Sequence, residues 1–187
     1  MRNKILETSI ELFDIKGYKE TSVQDIVDVI GVTKGTFYYY FTSKQDIIEN
    51  IALSYIEEIL SKQEAIISDT SKDCTTKLRD IVYMLISDIK TNRRSARIFF
   101  REMRNIEEGN FLNIKSKRSL FKKHYQQLIE EGIKTGEFKE SLNADMITFG
   151  ILGITNWSYY WFNPEGEISE SDLTDIYVDM IFNGIKN

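Results

Sequence analysis

Only Val32 separates Gly31, which stops one helical pattern, from Thr33, which is fitted to start the next. Upstream of the glycine, Val23, Ile26, Val27 and Ile30 fall on one face at helical spacing, and Ser22 followed three residues later by Asp25 forms the pattern of a capping box. Thr33 is a residue type that caps helix N-termini with its hydroxyl. Two short helices must therefore meet across a tight turn, which is helix-turn-helix geometry. Before them, Ile5, Leu12 and Phe13, with Ser9 on the same stripe, predict a first helix over 3–15 that Gly17 ends.

That arrangement fixes what the third helix can do. In a helix-turn-helix the last helix presents its N-terminal residues to the major groove of DNA, while its other face is held by the first two helices. Phe37 and Phe41, four apart, take the inner face, so some of the tyrosines in "TFYYYF" must face outward. Thr33, Lys34, Gly35 and Thr36 occupy the N-terminal end. There a lysine can reach a base edge or a phosphate, a glycine permits close backbone approach, and a threonine offers a hydroxyl and a methyl. Tyr38 and Tyr39, a turn further on, are placed to set hydroxyls on phosphate oxygens, and Lys44 is expected to meet another phosphate.

From Ser43 onward the pattern stays helical. Helices are predicted at 43–67, 73–91, 93–107, 110–135, 142–162 and 169–185, with breaks at Asn92 and Gly109 among others. The fold class is thus all-α: a three-helix domain over 1–46 followed by a larger helical domain over 47–187, whose size suits effector binding and dimerisation. One cysteine, Cys74, and one histidine, His124, exclude an internal disulfide and leave no cluster of metal ligands; neither a metal nor a cofactor is expected. No phosphate-binding glycine loop, nucleophile elbow or histidine pair is present, so an enzyme is not expected. The apolar run at 147–162 falls short of the ~20 apolar residues of a membrane span and reads as a buried helix. With no signal-peptide pattern, the reducing cytoplasm is the expected compartment.

Residues 31–47, "GVTKGTFYYYFTSKQDI", resemble the signature of the DNA-binding domain of TetR-type transcriptional repressors, a likeness that runs from about Lys4 to Ile48. The resemblance implies phosphate contacts from Ser22 and Tyr38, a backbone anchor at Lys44, and positions at or near base edges for Gln24, Lys34, Gly35, Thr36 and Tyr39. Val27 stands where the family usually has alanine. One observation runs against a simple electrostatic binder: residues 1–50 hold six basic and eight acidic side chains, and the whole chain carries a net charge of −5. Binding then rests on a few placed groups and on dimerisation rather than on long-range attraction.

Leu173, Ile176, Tyr177, Met180, Ile181 and Gly184 form one stripe on the last helix, which by pattern alone fits packing within a subunit as well as an interface between two. The family resemblance favours a homodimer built on the final two helices, placing two recognition helices on a palindromic double-stranded operator. "ILGITNWSYYWFNPEGEIS" is similar to a run found in TetR-type repressors of fatty-acid and steroid degradation, which respond to acyl-coenzyme A thioesters. Helical stripes assemble a candidate apolar pocket from Phe99, Phe100 and Met103, then Tyr125 and Leu128, then Phe149, Leu152 and Asn156. The arginines of "NRRSARIFFREMR", such as Arg97 and Arg101, and the lysines of "KSKRSLFKKHY" would supply cations for phosphates. Two effector classes stay open: a long-chain acyl-coenzyme A, and a drug-like hydrophobic or cationic compound.

Overall fold

The computed structural model describes residues 1–102 and 108–185. Among them the order is α1 (Arg2–Lys16), α2 (Val23–Ile30), α3 (Lys34–Tyr40), α4 (Lys44–Ile67), α5 (Cys74–Glu102), α6 (Glu108–Thr135), α7 (Ala144–Trp161) and α8 (Glu170–Ile185), with no β-strand. The all-α prediction holds, but two predicted breaks do not. Asn92 lies inside α5, where its amide donates to Glu58 Oε1 at 3.0 Å and Asp88 Oδ1 at 2.9 Å. A polar side chain that finds partners on a neighbouring helix has no reason to interrupt its own. Gly109 likewise sits within α6.

The chain forms two compact units, one of residues 1–57 and 94–116, the other of residues 58–93 and 117–187. Helices α4, α5 and α6 each contribute to both. In the first unit, Ile5 and Phe13 of α1, Ile26 and Val27 of α2, Phe37 of α3 and Phe41 pack into one core with Ile47 and Ile48 of α4; none is more than 1 % exposed. Val27, the bulkier residue where the family usually has alanine, is accommodated at 1 % exposure. Around α2 and α3 the sequence signals for helix ends are realised. Ser22 and Asp25 form the reciprocal capping box, Gly31 closes α2 in the left-handed conformation at φ 76°, and Thr33 accepts from the Thr36 N–H.

The second unit is centred on α5, α6 and α7. Leu78, Ile81, Val82 and Leu85 of α5, Phe121, Tyr125 and Ile129 of α6 and Tyr159 of α7 are all buried, with the Phe121 and Tyr125 rings 5.6 Å apart. After α6 the chain turns sharply at Gly136 (φ 82°), and the ring of Phe138 lies against Gly132, where a Cβ would come within 2.3 Å of it. Glu137 then caps the start of α5, accepting from the N–H groups of Cys74 at 3.2 Å and Thr75 at 2.9 Å. Burial works against the charge, yet these donors hold the Glu137 carboxyl below its ordinary range. Helix α7 is not the fully buried helix that its composition suggests: Met146, Phe149, Trp157 and Trp161 are exposed on one of its faces. Among the described residues no helix is long and apolar enough to cross a membrane, and no cluster of His, Cys, Asp or Glu could hold a metal ion.

Candidate nucleic-acid interface

Helix α3 leaves a continuous outer face. Phe37 is fully buried, so helical geometry turns its neighbours outward: Tyr38 is 53 % and Tyr39 81 % exposed, and Lys34 and Gly35 are exposed as well. Lys34 makes no ion pair among the described residues, and neither Tyr38 nor Tyr39 uses its hydroxyl in a hydrogen bond there. The Thr33 and Thr36 hydroxyls lie 3.2 Å apart at the helix start. A cation, two phenols and the free N–H groups of a helix N-terminus thus share one surface, the chemistry needed to contact phosphates and base edges.

Gly35 is informative because the fold does not need it. A Cβ there would meet only Thr33 Oγ1, at an ordinary 3.5 Å. Gly35→Ala should therefore stabilise the free protein by up to ~1 kcal/mol, the usual gain from glycine to alanine inside a helix. Operator affinity should fall if that face approaches DNA closely. A denaturant melt and an operator titration of the same variant check both halves.

Other expected contact residues are committed within the chain. The Ser22 N–H donates to Asp25 Oδ2 at 2.8 Å, and the Ser22 hydroxyl bonds the same carboxylate. With Lys16 also 3.3 Å away, these bonds from Ser22 lower the Asp25 pKa to about 2. The capping box is thus intact above the ordinary carboxylate range and lost only as pH falls through about 2. Gln24 donates to Asp28 at 2.6 Å. Lys44 departs furthest from expectation. Its ammonium donates to the carbonyls of Tyr18 at 2.6 Å, Thr21 at 2.7 Å and Lys19 at 3.4 Å, and lies 4.3 Å from the centre of the Tyr18 ring. Burial pulls it below the ordinary lysine range, against the nearby carboxylates of Glu20, Asp25 and Glu102. All three N–H bonds have acceptors, so Lys44 as placed holds the α1–α2 turn to the start of α4 and has no proton spare for a phosphate.

The acidic balance of the first fifty residues has its answer on α5. Arg94 pairs with Glu11 at 2.9 Å, and Arg97 grips Asp14 through Nε at 3.0 Å and again through Nη2. Arg101 donates to the carbonyls of Phe13 and Asp14 at the C-terminal end of α1, and its Nε to Glu102 at 2.7 Å. Spaced three and four apart, these residues form one ladder down a face of α5. This corrects the expectation that Arg97 and Arg101 serve effector phosphates: they are spent on α1. The sequence hid this because a cation stripe reads the same whatever it faces.

The expected pocket residues divide between the units. Phe99 is buried in the first, its ring 5.2 Å from that of Tyr55, with Phe100 beside it, and Met103 lies outside the described residues. In the second unit Tyr125 and Leu128 are buried, Leu152 and Asn156 half-buried, and Phe149 is 52 % exposed with the Lys122 ammonium 4.1 Å from its ring centre. Phe149 thus belongs to the outer face of α7. Sequence reasoning missed a polar set inside this unit, Lys62, Gln63, Asp88 and Tyr159. Each sits on a long helix whose apolar stripe masked it.

Residues 5–51 match the family described as bacterial regulatory proteins, tetR family, and residues 71–185 match the tetracycline-repressor-like C-terminal domain. Over 188 residues the chain is 22 % identical to the HTH-type transcriptional repressor KstR2 of Rhodococcus jostii (strain RHA1), covering 100 % of this chain and 91 % of that protein. The solved structure of the ketosteroid transcriptional regulator KstR2 of Mycobacterium tuberculosis superposes with a TM-score of 0.92 at 21 % identity, covering 100 % of this chain and 95 % of that one. AibR, solved in complex with isovaleryl coenzyme A and operator DNA, gives a TM-score of 0.87 at 20 % identity over 97 % of each chain.

Proposed function

The chain belongs to the TetR family of bacterial regulatory proteins and is a transcriptional repressor of that family, and from this premise we propose that it grips a palindromic operator as a homodimer and lets go when it binds a long-chain acyl-coenzyme A. The observation that carries the DNA half is the outer face of α3, where Lys34, Gly35, Tyr38 and Tyr39 stand exposed and the fold itself makes no use of the glycine. Lys34 reads base edges, and Tyr38 and Tyr39 set phosphates. Ser22 offers the N-terminus of α2, and Lys44 acts through the turn it clamps. The functional division falls near residue 46, with recognition before it and effector binding and dimerisation after it.

Two subunits meet through α7 and α8. On α7 Phe149, Trp157 and Trp161 are exposed, and on α8 Ile176 and Met180 are 55 % and 54 % exposed, although Leu173 and Ile181 of the same helix face inward. The α8 stripe is thus split between an inner and an outer face. Large apolar residues left outside on two adjacent elements are the mark of an assembly surface.

Support for an acyl-coenzyme A comes from α6 and from the solved AibR complex, whose effector is of that class. Arg118 is exposed two turns before Tyr125 on the same side of α6, with Leu128 following, so one helix offers a cation for phosphates and an apolar lining for a chain. Operator release should then deepen along a series of acyl-coenzyme A thioesters. Each added methylene should improve affinity by up to ~0.8 kcal/mol until the chain is fully housed. Free fatty acids of equal length should be weaker, and salt should weaken the thioesters. Release of operator by hydrophobic cations, with every thioester inert, would replace this effector with the drug-like class.

A further inference from the structure

The interior of the second unit carries more polar chemistry than helix packing requires. Gln63, fully buried, donates to the Phe121 carbonyl at 3.1 Å and meets His124 Nδ1 at 3.0 Å through its oxygen. Asp88, 3 % exposed, accepts from Lys62 at 2.9 Å, Asn92 at 2.9 Å and the Tyr159 hydroxyl at 3.3 Å. These groups answer one another. Tyr125 is the exception: its residue is fully buried, and its hydroxyl has no hydrogen-bond partner among the described residues.

An unanswered buried hydroxyl costs roughly 1–3 kcal/mol, and phenylalanine would fill the same volume without that cost. Packing therefore explains the ring of Tyr125 and not its oxygen. The oxygen has a use in a state of the protein where an acceptor arrives from outside the chain. Burial, with Tyr159 nearby, pushes the phenol well above its ordinary range, so the group keeps its proton and can donate. The acceptor must be neutral, since a carboxylate or phosphate brought to a fully buried position would lose its hydration with no free cation beside it. A carbonyl oxygen on a hydrocarbon framework satisfies both conditions.

We propose that the Tyr125 hydroxyl is the recognition point for a carbonyl oxygen carried on the acyl group of the effector, so that the repressor responds to oxo-acyl thioesters in preference to plain saturated ones. This rests on the acyl-coenzyme A reading above. The coenzyme's phosphates must stay hydrated, and its thioester and pantetheine carbonyls are common to every thioester, so an oxygen on the acyl chain is the one by which Tyr125 selects among them.

The test compares decanoyl-coenzyme A with a set of oxodecanoyl-coenzyme A isomers in which the ketone is moved along the chain, using the full-length wild type and Tyr125→Phe. The wild type should bind the best-placed oxo isomer about tenfold more tightly than decanoyl-coenzyme A, the worth of one hydrogen bond in a dry site. In Tyr125→Phe that ratio should fall to about one. The melting temperature of the free variant should stay level or rise, because no bond is lost. A wild type that binds decanoyl-coenzyme A but prefers no oxo isomer overturns this inference alone, as does a Tyr125→Phe protein that keeps the preference. A clearly lower melting temperature in the variant also overturns it, since the hydroxyl would then have a partner in the free protein. Failure of every thioester to bind overturns the acyl-coenzyme A reading as well.

Discussion

Trp157→Asp combined with Met180→Asp is expected to yield a folded monomer whose operator affinity is lower by roughly 10²–10⁴-fold, the range lost when two linked binding events become one. Trp157 is 64 % and Met180 54 % exposed in the single chain, so carboxylates there stay hydrated and leave the subunit core alone. Between two subunits the same carboxylates would be desolvated and would face their own copies across a two-fold axis. Light scattering gives the mass, a melt gives the fold, and a titration with a palindromic duplex gives the affinity. A variant that stays dimeric would remove α7 and α8 from the interface.

Arg97→Ala should have the largest effect on the first unit. Its partner Asp14 has a side chain only 6 % exposed, and removing the guanidinium leaves a nearly buried charge unpaired, at a cost of about 3 kcal/mol. The consequence reaches DNA because α1 packs on α2 and α2 on α3, whose Phe37 is fully buried. Operator affinity should fall with stability, and Asp14→Asn in the same background should recover most of both by removing the stranded charge. If Arg97→Ala melted like the wild type while binding acyl-coenzyme A far more weakly, the ladder would be incidental and the arginine an effector ligand after all. Arg93, one turn before Arg97 on α5, donates to the Tyr159 and Tyr160 carbonyls at the C-terminal end of α7 at 3.1 Å and 3.2 Å.

The N-terminal unit was largely legible from sequence because its rules are local. Ser22 and Asp25, Gly31, and Thr33 and Thr36 act within a few residues of one another, and the caps they predict are the caps observed. Long-range partners were not legible. Nothing near Lys44 in the chain announces that its ammonium will sit on carbonyls more than twenty residues upstream. Arg97 and Arg101 could not be distinguished from solvated cations without α1 in place. Asn92 looked like a break because its partners, Glu58 and Asp88, lie on the preceding helix and one turn earlier on its own. The apolar stripes of the larger domain were found, but periodicity says only that a face is apolar. Whether that face meets the core, as at Leu173, or the outside, as at Met180, depends on neighbours that it does not name.

Under the proposed function, operator and effector compete through two conformations of one dimer, which makes their coupling reciprocal. The direct measurement is the affinity of the protein for an acyl-coenzyme A, taken once free and once with a selected operator duplex at saturation. Operator should weaken the thioester by the same factor by which the thioester weakens operator. Thioester affinity that is identical with and without bound operator would rule out that coupling and with it release by the thioester.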